Sequence, residues 1–402
     1  MDSRLFYFCF KISLPASSKE KKIRAMFKFK YKQDDQIGRS VKIWLFVGLF
    51  MILMQIVIGG VTRLTGSGLS ITKWEIVTGS IPPLNQQEWG EAFDLYQQTP
   101  QYQKINQGMA LQDFKFIFFW EYFHRLWARL MFFVFVFPFG WFLARGMLSR
   151  RLTNRLIGVV LLAGLEGFFG WIMVYSGLIK RPWVNAYNLT LHLCTALVIF
   201  SYLLWTIFIA IKPRPHPGTP ALRSWRKYTW LMIGVAFLQI ALGAMMSGSK
   251  AALAYPTWPA MRGTYFPSLL ADPANWRLVH FIDYDTHPFM PTLIQFLHRN
   301  VAYVLTIMIC YFVWRLGKEK LSRALRQGNV ALLSMLAVQV LLGILTLLNS
   351  IARIPVTLGV LHQAGAVLLL SILLFVAYQF SAGASRMVQN KAAAVLDNQG
   401  VQ

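Results

Sequence analysis

Charge is scarce in this chain. Only 14% of its 402 residues are Asp, Glu, Lys or Arg, against about a quarter in an ordinary soluble domain. What replaces charge is apolar bulk, 56% of the sequence. Stretches such as 43–61 and 187–211 carry hardly a charge over about 20 residues, enough to cross a hydrocarbon core of roughly 30 Å. A soluble enzyme is excluded. Negative charge is scarcer still, with 16 Asp and Glu against 40 Lys and Arg, a net charge of +24. In a soluble chain that balance would suggest nucleic acid as a partner; in a membrane chain it records topology, and nucleic acid is not expected. Cysteine is nearly absent. Cys9, Cys194 and Cys310 stand far apart with no CxxC or CxxCH, which excludes a disulfide framework, a zinc knuckle and covalent c-type haem attachment.

The hydropathy pattern predicts an all-α polytopic membrane protein with eight transmembrane helices, at 43–62, 118–143, 156–178, 187–211, 228–247, 291–314, 329–349 and 356–380. Basic residues in the connecting segments divide unequally, 27 on the side of both termini and 10 on the other. The excess assigns both termini to the cytoplasm. The long segments 63–117 and 248–290 then face outward. Their Trp, Pro and Gly clusters, such as Pro256-Thr257-Trp258-Pro259, read as folded caps. Residues 1–42 read as a disordered basic tail with Met26 as an alternative start, because the apolar run Leu5 to Phe10 is too short for a signal peptide.

Aligned helices reveal a repeat. Each odd-numbered helix carries Gln or Glu four residues before Gly: Gln55 and Gly59, Glu166 and Gly170, Gln239 and Gly243, Gln339 and Gly343. Each even-numbered helix carries one His: His124, His192, His298 and His362. The Gly-to-His spacings are 65, 22, 55 and 19, so a long-loop hairpin alternates with a short-loop hairpin, twice. This predicts two four-helix bundles, 43–211 and 228–380, related by a pseudo-two-fold axis along the membrane normal. A cytoplasmic linker, 212–227, would join them, and 381–402 would be a cytoplasmic tail.

Ionisable residues inside a span are costly and mark functional sites. A single intramembrane His can simply bridge two helices by hydrogen bonds. Four at equivalent positions fit another use, since two imidazoles facing across a bundle can ligate one haem iron axially. Zinc or copper is the alternative, but no carboxylate or thiolate cluster accompanies the imidazoles. Gly164, Gly167 and Gly170 form a small face that would give a flat macrocycle room, although the same spacing serves helix packing. Arg125 and Arg299, next to His124 and His298, are candidate propionate contacts or interfacial snorkels.

The halves also differ. Glu121 lies one turn before His124, while the matching residue before His298 is Gln295. A carboxylate there can take a proton or stabilise developing positive charge; the amide can do neither. The plainer alternative is that Glu121 balances Arg125 or Arg129. Because Gln295 fills the equivalent place, a Gln at 121 is expected to leave packing and His124 ligation intact. Glu166, matched by Gln339, is a second acid of the first half.

The chain resembles the haem A synthase family in specific segments, and the match runs from about residue 43 to 380. These are Gly59-Gly60-Val61-Thr62-Arg63-Leu64-Thr65-Gly66-Ser67-Gly68-Leu69-Ser70, Glu121-Tyr122-Phe123-His124-Arg125, Asn188-Leu189-Thr190-Leu191-His192, Gln295-Phe296-Leu297-His298-Arg299 and Leu361-His362-Gln363. The resemblance implies oxidation of the C8 methyl of haem O to a formyl group by successive hydroxylations, yielding haem A for cytochrome oxidase. It implies that His124 and His192 ligate the substrate haem beside a catalytic Glu121, while His298 and His362 ligate a resident haem b cofactor. It further implies a bacterial inner-membrane location, with the mitochondrial inner membrane as the alternative. The implied partners are haem O, membrane lipid, the enzyme that makes haem O, an electron acceptor and a second copy of the chain. Some bacterial members carry a cysteine pair in an outer loop that this chain lacks; its long first outer loop looks like that of the proteobacterial and mitochondrial branch. A diheme quinol-oxidising cytochrome would use the same four His without a lone carboxylate, and a haem transporter is the non-enzyme alternative.

Overall fold

A computed structural model describes residues 37–72, 81–179, 181–211 and 220–399. The expected basic tail up to residue 36, Met26 included, and linker residues 212–219 lie outside the described residues. Eight helices among the described residues are long and apolar enough to cross a membrane. They are α1 (Arg39–Leu64), α2 (Leu111–Ala144), α3 (Arg150–Ile179), α4 (Ala186–Ile211), α5 (Pro220–Gly248), α6 (Phe289–Leu316), α7 (Arg323–Leu348) and α8 (Val356–Gln399). Helices dominate because lipid offers no hydrogen bonds, so a spanning backbone must satisfy its N–H and C=O groups internally. The protein is an all-α, multi-pass membrane protein.

Most helices run past the apolar windows read from the sequence. The hydropathy signal stops where charge begins, but helical hydrogen bonding continues, as at Arg39 and Lys42 in α1 and at Arg150, Arg151 and Arg155 in α3. Two boundaries change as a result. α5 begins at Pro220, so helix occupies the second part of the expected linker 212–227, and α8 continues to Gln399 through most of the expected tail 381–402. Proline at a first helical position is favourable, because its missing N–H has no intrahelical partner there.

Packing differs between the halves. In the second, α5 packs on α6, α6 on α7, α7 on α8 and α8 on α5, closing a ring of four. In the first, α1 packs on α2 and on α4, and α3 packs on α4, while α2 and α3 have no comparable contact among the described residues. The halves meet where α4 touches α5 and α8 and where α1 touches α8. One hydrophobic core, including Trp44, Phe135, Leu203, Ile309, Phe312 and Leu370, runs through both halves toward the ends away from the histidines.

Both long loops fold onto the helix ends they connect. In the first, Asn85 caps the helix Gln86–Gln97 by accepting from the Glu88 N–H, and Thr99 caps Pro100–Lys104. Tyr96 is fully buried and stacks on Phe114 at the start of α2, with ring centroids 5.0 Å apart. Burial pushes the Tyr96 phenol above its ordinary pKa. In the second, Tyr284 is fully buried and its hydroxyl accepts from the Ala186 N–H at the start of α4, 2.8 Å away. Arg181, in the short connection before α4, reaches Asp283 at 3.4 Å and Asp285 at 3.6 Å. Lys250 lies over the Trp183 ring at 4.7 Å, and burial together with the charge of Arg63 lowers its pKa.

Candidate haem sites

Each of the four histidines meets the glycine and the Gln or Glu paired with it in the repeat. A Cβ added at Gly59 would lie 3.1 Å from His124 Cε1, at Gly170 3.1 Å from His192, at Gly243 3.2 Å from His298 and at Gly343 2.9 Å from His362. Glycine lets the imidazole pack directly on the helix backbone at these positions, and a Cβ would crowd the ring, most of all at Gly343. One turn earlier on the same helix, a polar side chain reaches the ring. Gln55 Nε2 is 3.2 Å from His124 Nε2, Gln239 Nε2 is 3.2 Å from His298 Nδ1 and Gln339 Nε2 is 3.2 Å from His362 Nδ1. Glu166 Oε1 is 2.9 Å from His192 Nδ1, close enough for an ion pair, although the angle is not that of a hydrogen bond.

The carboxamide oxygens of Gln55, Gln239 and Gln339 are buried without a hydrogen-bond partner. As placed, each Nε2 faces an imidazole nitrogen, and those of Gln55 and Gln339 also donate to the His124 and His362 backbone carbonyls at 3.3 Å and 3.0 Å, which holds these two carboxamides in this orientation. A ring nitrogen that accepts from Gln leaves the N–H on the other nitrogen, so these contacts choose a tautomer for His124 and His362, whereas Gln239 Nε2 lies 3.2 Å from both nitrogens of His298. In the second half, the His298 and His362 rings are 6.4 Å apart between centroids and inclined by 76°. Metal–nitrogen bonds of about 2 Å, with roughly 1 Å more from nitrogen to ring centre, put two axial imidazoles about 6 Å apart. The pair fits a haem iron. Among the described residues no three His, Cys, Asp or Glu gather, so the donor set suits a metal that brings its own equatorial nitrogens. His124 and His192 likewise lie within electrostatic range of one another.

Glu121 is 2% exposed and fully engaged. Its Oε2 accepts from the Ser70 hydroxyl at 2.7 Å and the Ile71 N–H at 2.8 Å, and its Oε1 accepts from Arg125 Nη2 at 2.5 Å. The Arg125 pairing anticipated as the plainer role is thus present, joined by two loop donors. Gln295 makes the opposite contact. It donates through Nε2 to the Tyr255 carbonyl at 2.8 Å, which also accepts from Arg299 Nη2 at 2.9 Å. Arg299 further donates to the Pro259 and Ala260 carbonyls, at 3.3 Å and 3.4 Å.

Each side chain anchors its long loop, but the first loop presents donors and the second presents an acceptor. The Glu-to-Gln exchange between halves follows this reversal. The expectation that Gln could replace Glu121 without consequence for packing therefore does not hold: one carboxamide oxygen cannot replace two carboxylate oxygens facing three donors. The candidate propionate contacts sit beside their histidines already engaged, Arg125 by Glu121 and Arg299 by loop carbonyls. Of the expected small face on α3, only Gly170 lies under an imidazole; Gly164 and Gly167 have nothing within 4 Å of a built Cβ.

Three contacts escaped sequence reasoning. Ser70 and Ile71 lie about 50 residues from Glu121, and no periodicity links them. Arg63 donates to the Ser247 and Gly248 carbonyls at the end of α5, where a cation complements the negative end of the helix dipole. Gln363 donates to the Ile56 carbonyl at 2.7 Å. Arg63, Ser70 and Gln363 all stand inside the segments that carry the family resemblance, the one signal that could have singled them out.

Residues 42–374 match a family model described as cytochrome oxidase assembly protein. A curated protein named Heme A synthase from Nitrosospira multiformis is 39% identical over 351 residues, covering 87% of this chain and 96% of the relative. Its namesake from Nitrosomonas eutropha is 38% identical, covering 88% of this chain and 96% of the relative. That from Rhodospirillum centenum is 40% identical, with coverages of 84% and 87%.

Proposed function

The chain belongs to the haem A synthase family, and from that premise we propose that it oxidises the C8 methyl of haem O to the formyl of haem A. It is an enzyme of haem A biosynthesis acting on haem O, and its family binds haem. His124 and His192 hold the substrate haem; His298 and His362 hold a resident haem b. The observation that carries this reading is the repeated packing of His on Gly with a Gln or Glu at the ring, found at four places.

The division of labour rests on where the acids are. Glu121 and Glu166 both belong to the first half, and their second-half counterparts are Gln295 and Gln339. A haem held between His298 and His362 supplies one-electron redox chemistry. His124 and His192 would hold and orient the substrate through its iron. Glu166, at the His192 ring, sets the orientation of that ligand. The Glu121 carboxylate holds negative charge near the ligand His124 and can accept a proton once Arg125 or the loop donors move away. Arg125, next to His124, is then placed to meet a substrate propionate. Ser70 and Ile71, tied to Glu121, bring the first long loop over the site and exclude water.

Purified protein supplied with haem O and a reconstituted electron acceptor tests the reading. One b-type haem should remain bound, and extraction should yield hydroxylated and formyl products from haem O. Two permanent b haems without formyl product would make the chain a diheme cytochrome instead. Haem O bound and released unchanged would make it a transporter.

We also place both termini in the bacterial cytoplasm, on the imbalance of 27 basic residues against 10. Reporter fusions near Trp183 are expected to report the outer face, and fusions near Pro217 the cytoplasm. The reverse pattern would move all four histidines to the other side of the membrane. An electron acceptor, the haem O-producing enzyme and a second copy of the chain remain the partners that the family resemblance proposes.

A further inference from the structure

The two histidine sites are joined by a short polar bridge between α8 and α1. Gln363 follows His362 in α8, and its Nε2 donates at 2.7 Å to the Ile56 carbonyl of α1. Ile56 in turn follows Gln55, whose carboxamide lies 3.2 Å from His124 Nε2 and 3.3 Å from the His124 carbonyl. The route therefore runs from one proposed ligand, His362, to another, His124, through one covalent neighbour and one hydrogen bond on each side. Gly60 makes it possible. A Cβ there would sit 3.0 Å from Gln363 Oε1 and 3.1 Å from its Nε2, so a larger residue would crowd the carboxamide against the carbonyl it meets.

The bridge is not a product of the repeat. The duplication of halves matches Gln363 and Gly60 with Leu193 and Ala244, which are apolar. A second connection between halves, built from the same repeat, thus lacks the carboxamide. Nor is the hydrogen bond required for helix integrity, because the Ile56 carbonyl already has its place in the ladder of α1 and takes Gln363 on its other lone pair.

We propose that Gln363 is a positioning residue that couples occupancy of the first haem site to the iron ligand His362 of the second. The inference rests on the reading of the two histidine pairs as haem sites. A metal that engages His124 draws on the ring whose Nε2 Gln55 contacts, and a shift of Gln55 is carried by the turn of α1 that holds Gln55 and Ile56. Gln363 transmits that shift to the backbone of His362, and orientation of an axial imidazole tunes the potential of its haem. By linkage the effect is reciprocal, so the redox state of the resident haem alters first-site affinity by the same factor.

The test uses full-length protein with its resident haem and gallium protoporphyrin IX, a redox-inert porphyrin, as the first-site probe. In the parent protein, probe affinity should differ by about 5-fold or more between the oxidised and reduced resident haem, and the resident midpoint potential should shift when probe is bound. In Gln363→Met, of similar length but without the donor, the affinity ratio should fall to about 1, with resident haem content retained. Should Gln363→Met lose its haem, Gly60→Ala displaces the same carboxamide from the α1 side and should give the same loss of coupling. If resident haem and probe both bind and the parent ratio is 1, or the ratio survives in both variants, the coupling is wrong and the two sites stand. If the parent holds no resident haem and no probe, the reading of the sites fails and the coupling with it.

Discussion

Replacing His298 or His362 by alanine is expected to abolish resident haem b and loosen the fold. The two rings are 6.4 Å apart, so each variant removes half of an axial pair and leaves a cavity where an imidazole rested on glycine. A tightly held haem stabilises whatever state binds it, by roughly 3 kcal/mol at a hundredfold excess over its Kd. Loss of the ligand should therefore lower the thermal midpoint as well as the b-type absorbance. Gly343→Ala provides a graded version. Its Cβ would come 2.9 Å from His362 Cε1, closer than side chains normally approach, whereas Gly243→Ala meets His298 at 3.2 Å. The first should weaken haem retention more than the second. Full b-haem absorbance in both histidine variants would defeat the assignment of the pair.

Glu121→Gln should reduce formyl haem production by roughly the 10²–10⁴-fold typical of losing a positioned acid or base, with a hydroxylated intermediate accumulating. The structure adds a second effect. If the Gln oxygen keeps the Ser70 and Ile71 donors, its NH2 group faces Arg125, and that charged pair is lost. Removing one partner of a buried ion pair costs roughly 3–5 kcal/mol in the general case. Arg125 is partly accessible, so the cost here lies toward or below the low end. Glu121→Gln is therefore expected to lower thermal stability moderately and expose the loop around Ser70 to proteolysis, while haem b at His298 and His362 is untouched. Arg125→Leu separates the two roles, because it removes the pair and keeps the carboxylate. If Glu121→Gln makes haem A at the parent rate, the carboxylate is a counter-ion and loop anchor only, and Glu166→Gln becomes the informative variant.

Elements that obey a local period were legible before any coordinates. An apolar run long enough to span lipid becomes a helix because its backbone has no other partner there, and eight such runs became α1 to α8. The spacing of Gln or Glu to Gly within one turn is likewise local. Pairing each such turn with the next helix's histidine needed only that a hairpin bring neighbours together. The structure adds that each histidine rests on the glycine of the helix before it, including His124 on Gly59 across a 65-residue gap.

Helix ends were less legible, since charge halts the hydropathy signal without halting the helix, as at Arg39 and Pro220. The role of Glu121 was half legible. Sequence showed an acid one turn before a histidine and a cation directly after that histidine. It could not show that Ser70 and Ile71 would fold back to fill the second carboxylate oxygen, because a loop contact over such a separation has no periodic signature.

The sequence by itself therefore determined the membrane class, the eight spans, the four histidines and the Gln or Glu four residues before Gly in alternate helices, because these depend on composition and on the 3.6-residue turn. Only the tertiary structure decided that the His298 and His362 rings lie 6.4 Å apart, that Glu121 is held by Arg125 and the first loop, and that Gln363 reaches across to Ile56. Such contacts join segments far apart in the chain. They depend on how helices pack and on which backbone groups remain free to pair, and neither is written in a local pattern.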